Sequence, residues 1–377
     1  MSSTASAASA AAPPTFSWFL PTGGDGRHVG AVTSVQERSA AATRRAATVD
    51  YLAQVAGAAE LAGFESVLTP TGLGCADPFI TTAMVAPLTR TLRFLVAFRP
   101  GLASPSLVAQ QAATFSRLTG GRLALNVVTG GDPVEQAAYG DHLPHDARYE
   151  RTDEFLTIMR ALLRGERVDH TGTHLDVRGA QLSDVPAEVP DIYFGGASPA
   201  AERVAARHVD TYLTWHDGLE SVVARRERVA NVAADAGRQL RFGIRLHVIS
   251  RSTADEAWTE ADRLLSGMDD AAIAASQARY AKMDSVAQAN MAALHGGRRD
   301  RLVVGQNLWA GIGLVREGAA TALVGSHDEV AARIDELHDA GFDEFVLSGY
   351  PHLEEALRFA EEVRPRLTSA RVPEIAA

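Results

Sequence analysis

Short runs of β-branched and aromatic residues recur along the chain and alternate with stretches of helical periodicity. Eight runs are predicted to be strands: 15–21, 65–70, 92–98, 122–128, 191–196, 210–215, 241–250 and 344–350. Between them, apolar residues recur at the three- and four-residue spacing of amphipathic helices, as in 49–63, 104–121, 148–165 and 198–208. This alternation predicts βαβ units, and eight of them predict an α/β fold, a (β/α)8 TIM barrel. A doubly wound sheet is the alternative, but no Gly-x-Gly-x-x-Gly follows the first strand.

Two connections are longer than a βα unit requires. Residues 129–147 form a long loop after the fourth strand, and residues 264–340 precede the last strand. Because residues 264–340 contain helical patterns of their own, we expect them to form a lid over the barrel mouth. A single domain is predicted over residues 15–370, preceded by an Ala/Ser-rich disordered tail at 1–14.

Charge and composition narrow the possible partners. The chain has 36 basic and 46 acidic residues and a formal net charge of −10, which argues against a nucleic-acid partner. No apolar run reaches the roughly 18 residues of a membrane span, and the first residues lack the features of a signal peptide. The single cysteine, Cys75, excludes an internal disulfide. We therefore expect a cytoplasmic protein without a membrane segment.

The predicted seventh strand, FGIRLHVIS, carries two charged side chains where an apolar strand is expected. Arg245 and His247 are two residues apart, so both point to the same face of the strand, and both are expected to face the barrel mouth. A buried guanidinium is costly unless it is paired, and no acidic residue is close in sequence. An anionic ligand is a plausible partner, since arginine binds planar oxyanions bidentately.

Other polar residues follow the predicted strand ends. They are Thr69, Cys75, Asn126, Thr129, Trp215 and Tyr350. Cys75 is read either as a small buried hydrophobe or as a site residue, and Asn126 as bonding either a ligand or a neighbouring strand. Ser198 and Pro199 are typical of a helix start, whose free N–H groups after Gly196 and Ala197 suit a phosphate. An ordinary helix start is the alternative. No spacing supports a metal site.

A series of motifs in this order is similar to one known family. The motifs are WFLPTGGDG, VLTPTGLGCAD, NVVTGGDP, HDARYERTDEFL, IYFGGASPAA, YLTW, RFGIRLHVI, MAALHGGRRD, NLWAGIGLVR, ATALVG and LSGYPHLEEA. Over residues 15–370 they resemble the FMNH2-dependent alkanesulfonate monooxygenases of the bacterial-luciferase-like superfamily. The resemblance implies a TIM-barrel enzyme that obtains reduced FMN from a separate NAD(P)H-dependent FMN reductase. With O2 as co-substrate, it would cleave a small anionic alkanesulfonate to an aldehyde and sulfite for sulfur acquisition, as a homo-oligomer, usually a tetramer.

The resemblance also implies roles for individual residues. The family's active-site positions fall on Cys75, Trp215, Arg245, His247, Arg316 and Tyr350. Arg245 and Arg316 would neutralise the sulfonate, His247 would orient or exchange protons, and Tyr350 would donate a hydrogen bond. Flavin and its phosphate would be held by His145, Tyr149, Gly196, Ala197 and Ser198, with Thr69, Asn126 and Thr129 also at the cofactor.

The sequence departs from the family pattern at three positions near the mouth. Gly23 stands where the family has a histidine, Leu73 where it has an arginine, and Ala76 where it has a glutamate. These changes leave alternatives open: a sulfinate or sulfone substrate, or a flavin-binding relative without catalytic activity. A deazaflavin-dependent dehydrogenase of the same superfamily is a further alternative, although it has no need of the Arg245, His247 and Arg316 set.

Overall fold

The computed structural model describes residues 12–29 and 45–369; the predicted tail lies outside this part up to residue 11, as does residue 370. Its strands are β1 Thr15–Phe19, β2 Ser66–Thr69, β3 Arg93–Phe98, β4 Leu123–Val127, β5 Val168–Thr171, β6 Asp176–Ala180, β7 Asp191–Phe194, β8 Thr211–Trp215, β9 Arg241–Arg251, β10 Val303–Gly305, β11 Leu308–Trp309, β12 Ala322–Ser326 and β13 Glu344–Ser348. Its helices are α1 Val49–Leu61, α2 Pro78–Val85, α3 Pro105–Thr119, α4 Pro133–Ala138, α5 His145–Leu163, α6 Pro199–His208, α7 Leu219–Asp235, α8 Ala254–Leu265, α9 Asp270–Tyr280, α10 Val286–His295, α11 His327–Asp339 and α12 His352–Arg358.

Eight parallel strands close into a barrel, which confirms the predicted TIM-barrel fold. The order around the barrel is β1, β2, β3, β4, β7, β8, β9 and β13, with β13 pairing back to β1. Each of the eight predicted strands is one of these. The predicted 191–196 run ends at Phe194 because Gly195 and Gly196 leave the sheet, Gly196 with a φ of +151°.

Two apolar layers hold the barrel together. Inward-facing side chains fill its interior, namely Phe19, Leu68, Leu95, Ala124, Tyr193, Leu213 and Val346. Outward-facing side chains such as Trp18 and Phe94 pack beneath the surrounding helices in a larger cluster. Arg245 lies in register with Val346 on one side and Trp215 on the other, so the strand alternation directs its guanidinium inward.

Strand β9 extends beyond the barrel and anchors the segment that precedes the last strand. Residues 241–245 of β9 pair with β8, whereas residues 247–251 pair with β12 on the same side. The predicted lid at 264–340 is therefore divided. Strand β12 joins the main sheet and α11 leads into β13, while residues 266–321, here called the mouth insertion, lie between α8 and β12.

Side-chain caps fix the starts of α6 and α11, two helices that follow strands of the main sheet. Ser198 caps α6 by accepting a hydrogen bond from the backbone N–H of Ala201, and Pro199 occupies the first turn. Ser326 and Glu329 form a capping box at the start of α11, directly after β12. Within the described residues, no helix is long and apolar enough to cross a membrane.

Candidate active site

A cavity of about 790 Å³ opens at the carboxyl ends of the barrel strands. Its walls come from the loops after β1, β2, β4, β7 and β8 and from the mouth insertion. Of the predicted site residues, ten line it: Cys75, Asn126, Thr129, Tyr149, Gly196, Ala197, Trp215, Arg245, Arg316 and Tyr350. The other four, Thr69, His145, Ser198 and His247, do not reach its wall. This is the face on which barrel enzymes carry their active sites.

Two arginines, the buried Arg245 and the partly buried Arg316, meet at one end of the cavity. The Arg245 guanidinium lies 4.9 Å from the centroid of the Phe19 ring, and that of Arg316 lies 5.5 Å from the same centroid. Arg245 donates to the carbonyl oxygens of Leu246 (2.8 Å) and Val346 (3.4 Å), and Arg316 donates to the Tyr350 hydroxyl. These contacts supply ring faces and dipoles but no opposite charge.

Within the part of the chain that the structure describes, neither arginine forms an ion pair. The nearby carboxylates have other partners: Glu317 bonds Arg279 at 2.8 Å, and Glu135 bonds Arg99. Burial, together with the charge of Arg316, lowers the pKa of Arg245 to about 9. Burial likewise lowers the pKa of Arg316. A guanidinium stays protonated at neutral pH, so this end of the cavity holds two positive charges without an ion-pair partner, and the charge of Arg316 is stabilised only from a distance by carboxylates such as Asp25. The arrangement favours an anion.

The predicted place of His247 at the mouth is corrected by its contacts. Its Nε2 lies 3.0 Å from the carbonyl oxygen of Ala319 in the mouth insertion, and its Nδ1 lies 2.6 Å from the Ser348 hydroxyl. The Tyr350 ring stacks on the imidazole with centroids 5.6 Å apart. Because the loop carrying Ala319 covers the strand end, His247 is sealed behind Tyr350, and burial lowers its pKa well below the usual value.

The opposite part of the cavity is built from glycines and a helix start. A Cβ at Gly195 would lie 2.0 Å from the Leu213 carbonyl oxygen, and one at Gly196 would lie 2.6 Å from the Ala201 Cβ, so only glycine fits. Tyr149 lines the wall there, and Ser198 sits buried behind it as the cap of α6. The chain thus brings backbone groups close to the cavity at the amino end of a helix.

Two of the other predicted cofactor residues, Thr69 and His145, do not line the cavity, whereas a third, Thr129, does. The Thr69 hydroxyl is fully buried and has no hydrogen-bond partner among the described residues. His145 packs its ring against Tyr149 with centroids 4.9 Å apart and bonds Asp146 through Nδ1. Thr129, in contrast, lines the cavity with a buried Oγ1 that has no partner among the described residues, which suits a polar ligand edge.

Cys75 lines the cavity as a thiol. Burial raises its pKa above the usual value, with a partial lowering by Thr22 and by the charge of Arg316. A protonated thiol is a poor nucleophile. The neighbouring departure from the family pattern, Leu73, uses its backbone N–H to donate to the Glu135 carboxylate at 2.9 Å.

Sequence reasoning missed a buried acid and histidine at the same end as the arginines. The Asp25 carboxylate accepts from the backbone N–H of His352 at 2.8 Å and contacts the His352 Nδ1 at 2.9 Å. The Tyr51 hydroxyl donates to the same carboxylate. Both Asp25 and His352 line the cavity. The sequence could have indicated both residues, because each follows a barrel strand: Asp25 in the motif TGGDG and His352 in the motif GYPHLEEA.

Comparison with known proteins shows the family and the fold of the chain. Residues 15–344 match the luciferase-like monooxygenase family, and the chain belongs to it. Solved structures share its fold at 20% identity: riboflavin lyase RcaE (TM-score 0.77, covering 94% of this chain and 91% of that chain) and the long-chain alkane monooxygenase LadA (0.75, 94% and 91%). EDTA monooxygenase EmoA from Chelativorans sp. BNC1 is also similar (20% identity, TM-score 0.70, 95% and 94%).

Proposed function

We propose that the protein is a flavin-dependent monooxygenase that uses FMNH2 and O2 to convert an alkanesulfonate to an aldehyde and sulfite. The observation that carries the proposal is the pair of guanidinium groups at one end of the cavity, the buried Arg245 and the partly buried Arg316, with no ion-pair partner in the described residues. A sulfonate supplies a compact, permanently ionised group with three acceptor oxygens. It would satisfy both arginines at once and remove the cost of burying them unpaired.

Reduced flavin is proposed at the glycine-rich end of the cavity. Its phosphate would lie near the start of α6, beside Gly196, Ala197 and Tyr149, where the helix end favours negative charge. Thr129 and Asn126 line the cavity at the end of β4, the strand next to β7, so they would contact the ring system. When bound, the flavin supplies the reducing electrons that activate O2. Family membership and the modified FMN in riboflavin lyase support a flavin cofactor.

The alkyl chain of the substrate would run along an apolar wall from the mouth insertion. Met268, Met283 and Met291 line the cavity there. Met268 also belongs to the same apolar cluster as Val315 and Tyr350, so the wall is continuous with the arginine end. Flexible methionine side chains adapt to unbranched chains of different length. The resulting site is amphipathic, with an anion-binding end and an apolar wall.

The mouth insertion would hold the substrate away from water. Gly318 donates its backbone N–H to Gln288 at 2.9 Å, and Arg279 bonds Glu317 at 2.8 Å, so two contacts fix the loop that carries Arg316. Arg245 and Arg316 would orient the head group, and the Tyr350 hydroxyl, bonded to Arg316, would donate toward it. Excluding water would suppress side reactions with solvent and so favour oxygen transfer to the substrate.

The proposal includes two protein partners. An NAD(P)H-dependent FMN reductase would deliver the reduced flavin. Further copies of this chain would associate into a homo-oligomer, for which a tetramer is the expected state. An exposed apolar stripe supports self-association: Ile80 and Met84 on α2 and Leu88 just beyond it are each more than half exposed. Such a stripe on an otherwise charged surface is typical of a contact site.

Sulfite release from alkanesulfonates of short, medium and long chain tests the proposal. The assay contains FMN, NADPH, O2 and a generic flavin reductase. We expect sulfite only when enzyme and reduced flavin are both present. Gly196→Ala serves as the flavin-end variant, because its Cβ has no room beside Ala201, and it should raise the FMNH2 concentration needed. Flavin binding without sulfite from any sulfonate would contradict the proposed substrate and point to a sulfinate or sulfone.

A further inference from the structure

The cavity contains a second buried histidine whose partners differ from those of His247. His352 is 1% exposed and lines the cavity beside the arginine end. Its ring lies 5.2 Å from that of Tyr350 and 5.6 Å from that of Phe19. Phe19 is the ring that both arginine guanidiniums contact. His352 therefore borders the position proposed for the substrate head group.

The contacts of His352 determine which ring nitrogen is free. Nδ1 faces the Asp25 carboxylate at 2.9 Å, so Nδ1 carries the proton and Nε2 keeps its lone pair. Nε2 is buried and has no hydrogen-bond partner among the described residues. The Trp18 indole N–H donates to the His352 carbonyl oxygen at 3.0 Å and holds the backbone. In His247, by contrast, both ring nitrogens already have protein partners.

Asp25 is itself held as a carboxylate. Burial alone would raise its pKa, but His352, the Tyr51 hydroxyl and the Gly26 N–H together lower it to about 2. Burial lowers the pKa of His352, and Asp25 opposes that shift. At neutral pH the pair is thus a carboxylate beside a neutral imidazole. The other charged and titratable groups around the ring are Arg245 and His247 on β9, Arg316 from the mouth insertion, Tyr350, and Tyr51 behind Asp25.

We propose that His352 is the proton acceptor of this cavity and that Asp25 is its positioning residue. The step rests on the proposed function: oxygenation of the carbon that bears the sulfonate gives a 1-hydroxyalkanesulfonate, which must break down to aldehyde and sulfite. The Nε2 atom takes the hydroxyl proton, the O–H electron pair forms the C=O bond, and the C–S electron pair leaves with sulfite. The resulting imidazolium returns its proton to solvent after product release.

This step can be tested without flavin, because 1-hydroxyalkanesulfonates form directly from an aldehyde and bisulfite. The adduct of octanal is given to the full-length protein, and sulfite release above the spontaneous rate is followed from pH 5 to 8 with an aromatic disulfide, which sulfite cleaves to an S-sulfonate and a coloured thiolate. We expect the wild type to accelerate release, with a rate that falls as the pH drops and His352 becomes protonated. His352→Gln should lose about 100-fold of the acceleration, the scale of general-base catalysis.

Two further variants separate catalysis from folding. Asp25→Asn should lower the rate and move its acid limb to lower pH, because the carboxylate that raises the pKa of His352 is gone. His208→Gln is the matched histidine control, because His208 is also buried and bonds a carboxylate, Asp153 at 2.8 Å, but does not line the cavity; it should keep the acid limb of the wild type. If His352→Gln unfolds, His352→Ala is measured with added imidazole, which should restore part of the rate.

The outcomes distinguish this inference from the proposed function. A wild type that does not accelerate adduct breakdown, or a His352 variant that keeps its rate and pH profile, would overturn the role of His352. The assay with intact alkanesulfonate and reduced flavin is run in parallel. If that assay yields sulfite while the adduct assay shows no dependence on His352, only this inference fails.

Discussion

Two sets of arginines in this barrel differ in what they contact. Arg148 and Arg151 on α5 make two-pronged bonds to Asp284 and Asp141, with N–O distances of 2.5–3.0 Å. Arg245 is as deeply buried and Arg316 is partly buried, but they contact ring faces, a tyrosine hydroxyl and backbone carbonyls. Each arginine of the first set has a carboxylate partner within the protein. The second set has no ion-pair partner among the described residues, and under the proposed function the anionic substrate would supply one.

Of the substitutions considered, Arg245→Met should have the largest effect on activity. We expect kcat/KM for an alkanesulfonate to fall by roughly 100-fold or more, because removing a buried charged contact typically costs 2–5 kcal/mol. The same variant should keep or raise the thermal midpoint, since it removes a buried charge with no ion-pair partner. Sulfite release and thermal unfolding are measured on one preparation. Unchanged turnover would show that Arg245 does not hold the substrate.

Arg151→Met is the matched change in the first set. It leaves the Asp141 carboxylate buried without its partner, so we expect the free energy of unfolding to fall by about 3 kcal/mol. Urea unfolding measures the loss. At temperatures where the variant is folded, its affinity for the sulfonate should be close to that of the wild type. A stability loss equal to that of Arg245→Met would remove the distinction between the two sets.

Acid should act on the Asp25–His352 pair. The pKa of Asp25 is lowered to about 2 in the folded state, so its stabilising contribution is present above about pH 4 and is lost as the pH falls through 2. The lowered pKa of His352 acts in the same direction, because the unfolded state takes up that proton first as the pH drops below about 6.5. Urea unfolding from pH 7 to 2 measures the free energy of unfolding. Between pH 4 and 2, we expect this free energy to fall by about 2 kcal/mol less in Asp25→Asn than in the wild type.

Cys75→Ser should have the smallest effect. Burial keeps the Cys75 side chain protonated, so a hydroxyl of similar shape replaces most of its contacts. We expect kcat to change by less than about tenfold, well below the general-base or nucleophile range. Steady-state sulfite release measures it. A loss as large as that of Arg245→Met would instead assign the thiol a direct part in the reaction.

The sequence was sufficient for the barrel because the alternation of strand and helix is local information. The sequence also predicted that Arg245 faces the barrel mouth, because it is a charged residue on an apolar strand with no acidic neighbour in sequence. The structure places it in the cavity wall. The sequence could not place His247 correctly, because the Ala319 carbonyl and the Ser348 hydroxyl that engage its ring come from segments 72 and 101 residues away. His352 was missed for the same reason, since its carboxylate partner lies 327 residues away. Strand periodicity sets the direction of a side chain, whereas long-range packing decides whether a nitrogen is free.

Under the proposed function, Arg245 and Arg316 bind an anionic head group. The most direct measurement is anaerobic titration calorimetry of octane-1-sulfonate into the reduced-flavin complex of wild type, Arg245→Met and Arg151→Met, with 1-octanol as the uncharged reference. We expect the sulfonate to bind wild type and Arg151→Met with similar affinity and to bind Arg245→Met at least about 30-fold more weakly. It should be preferred to the alcohol only when Arg245 is present. Equal sulfonate affinity in wild type and Arg245→Met would contradict this expectation.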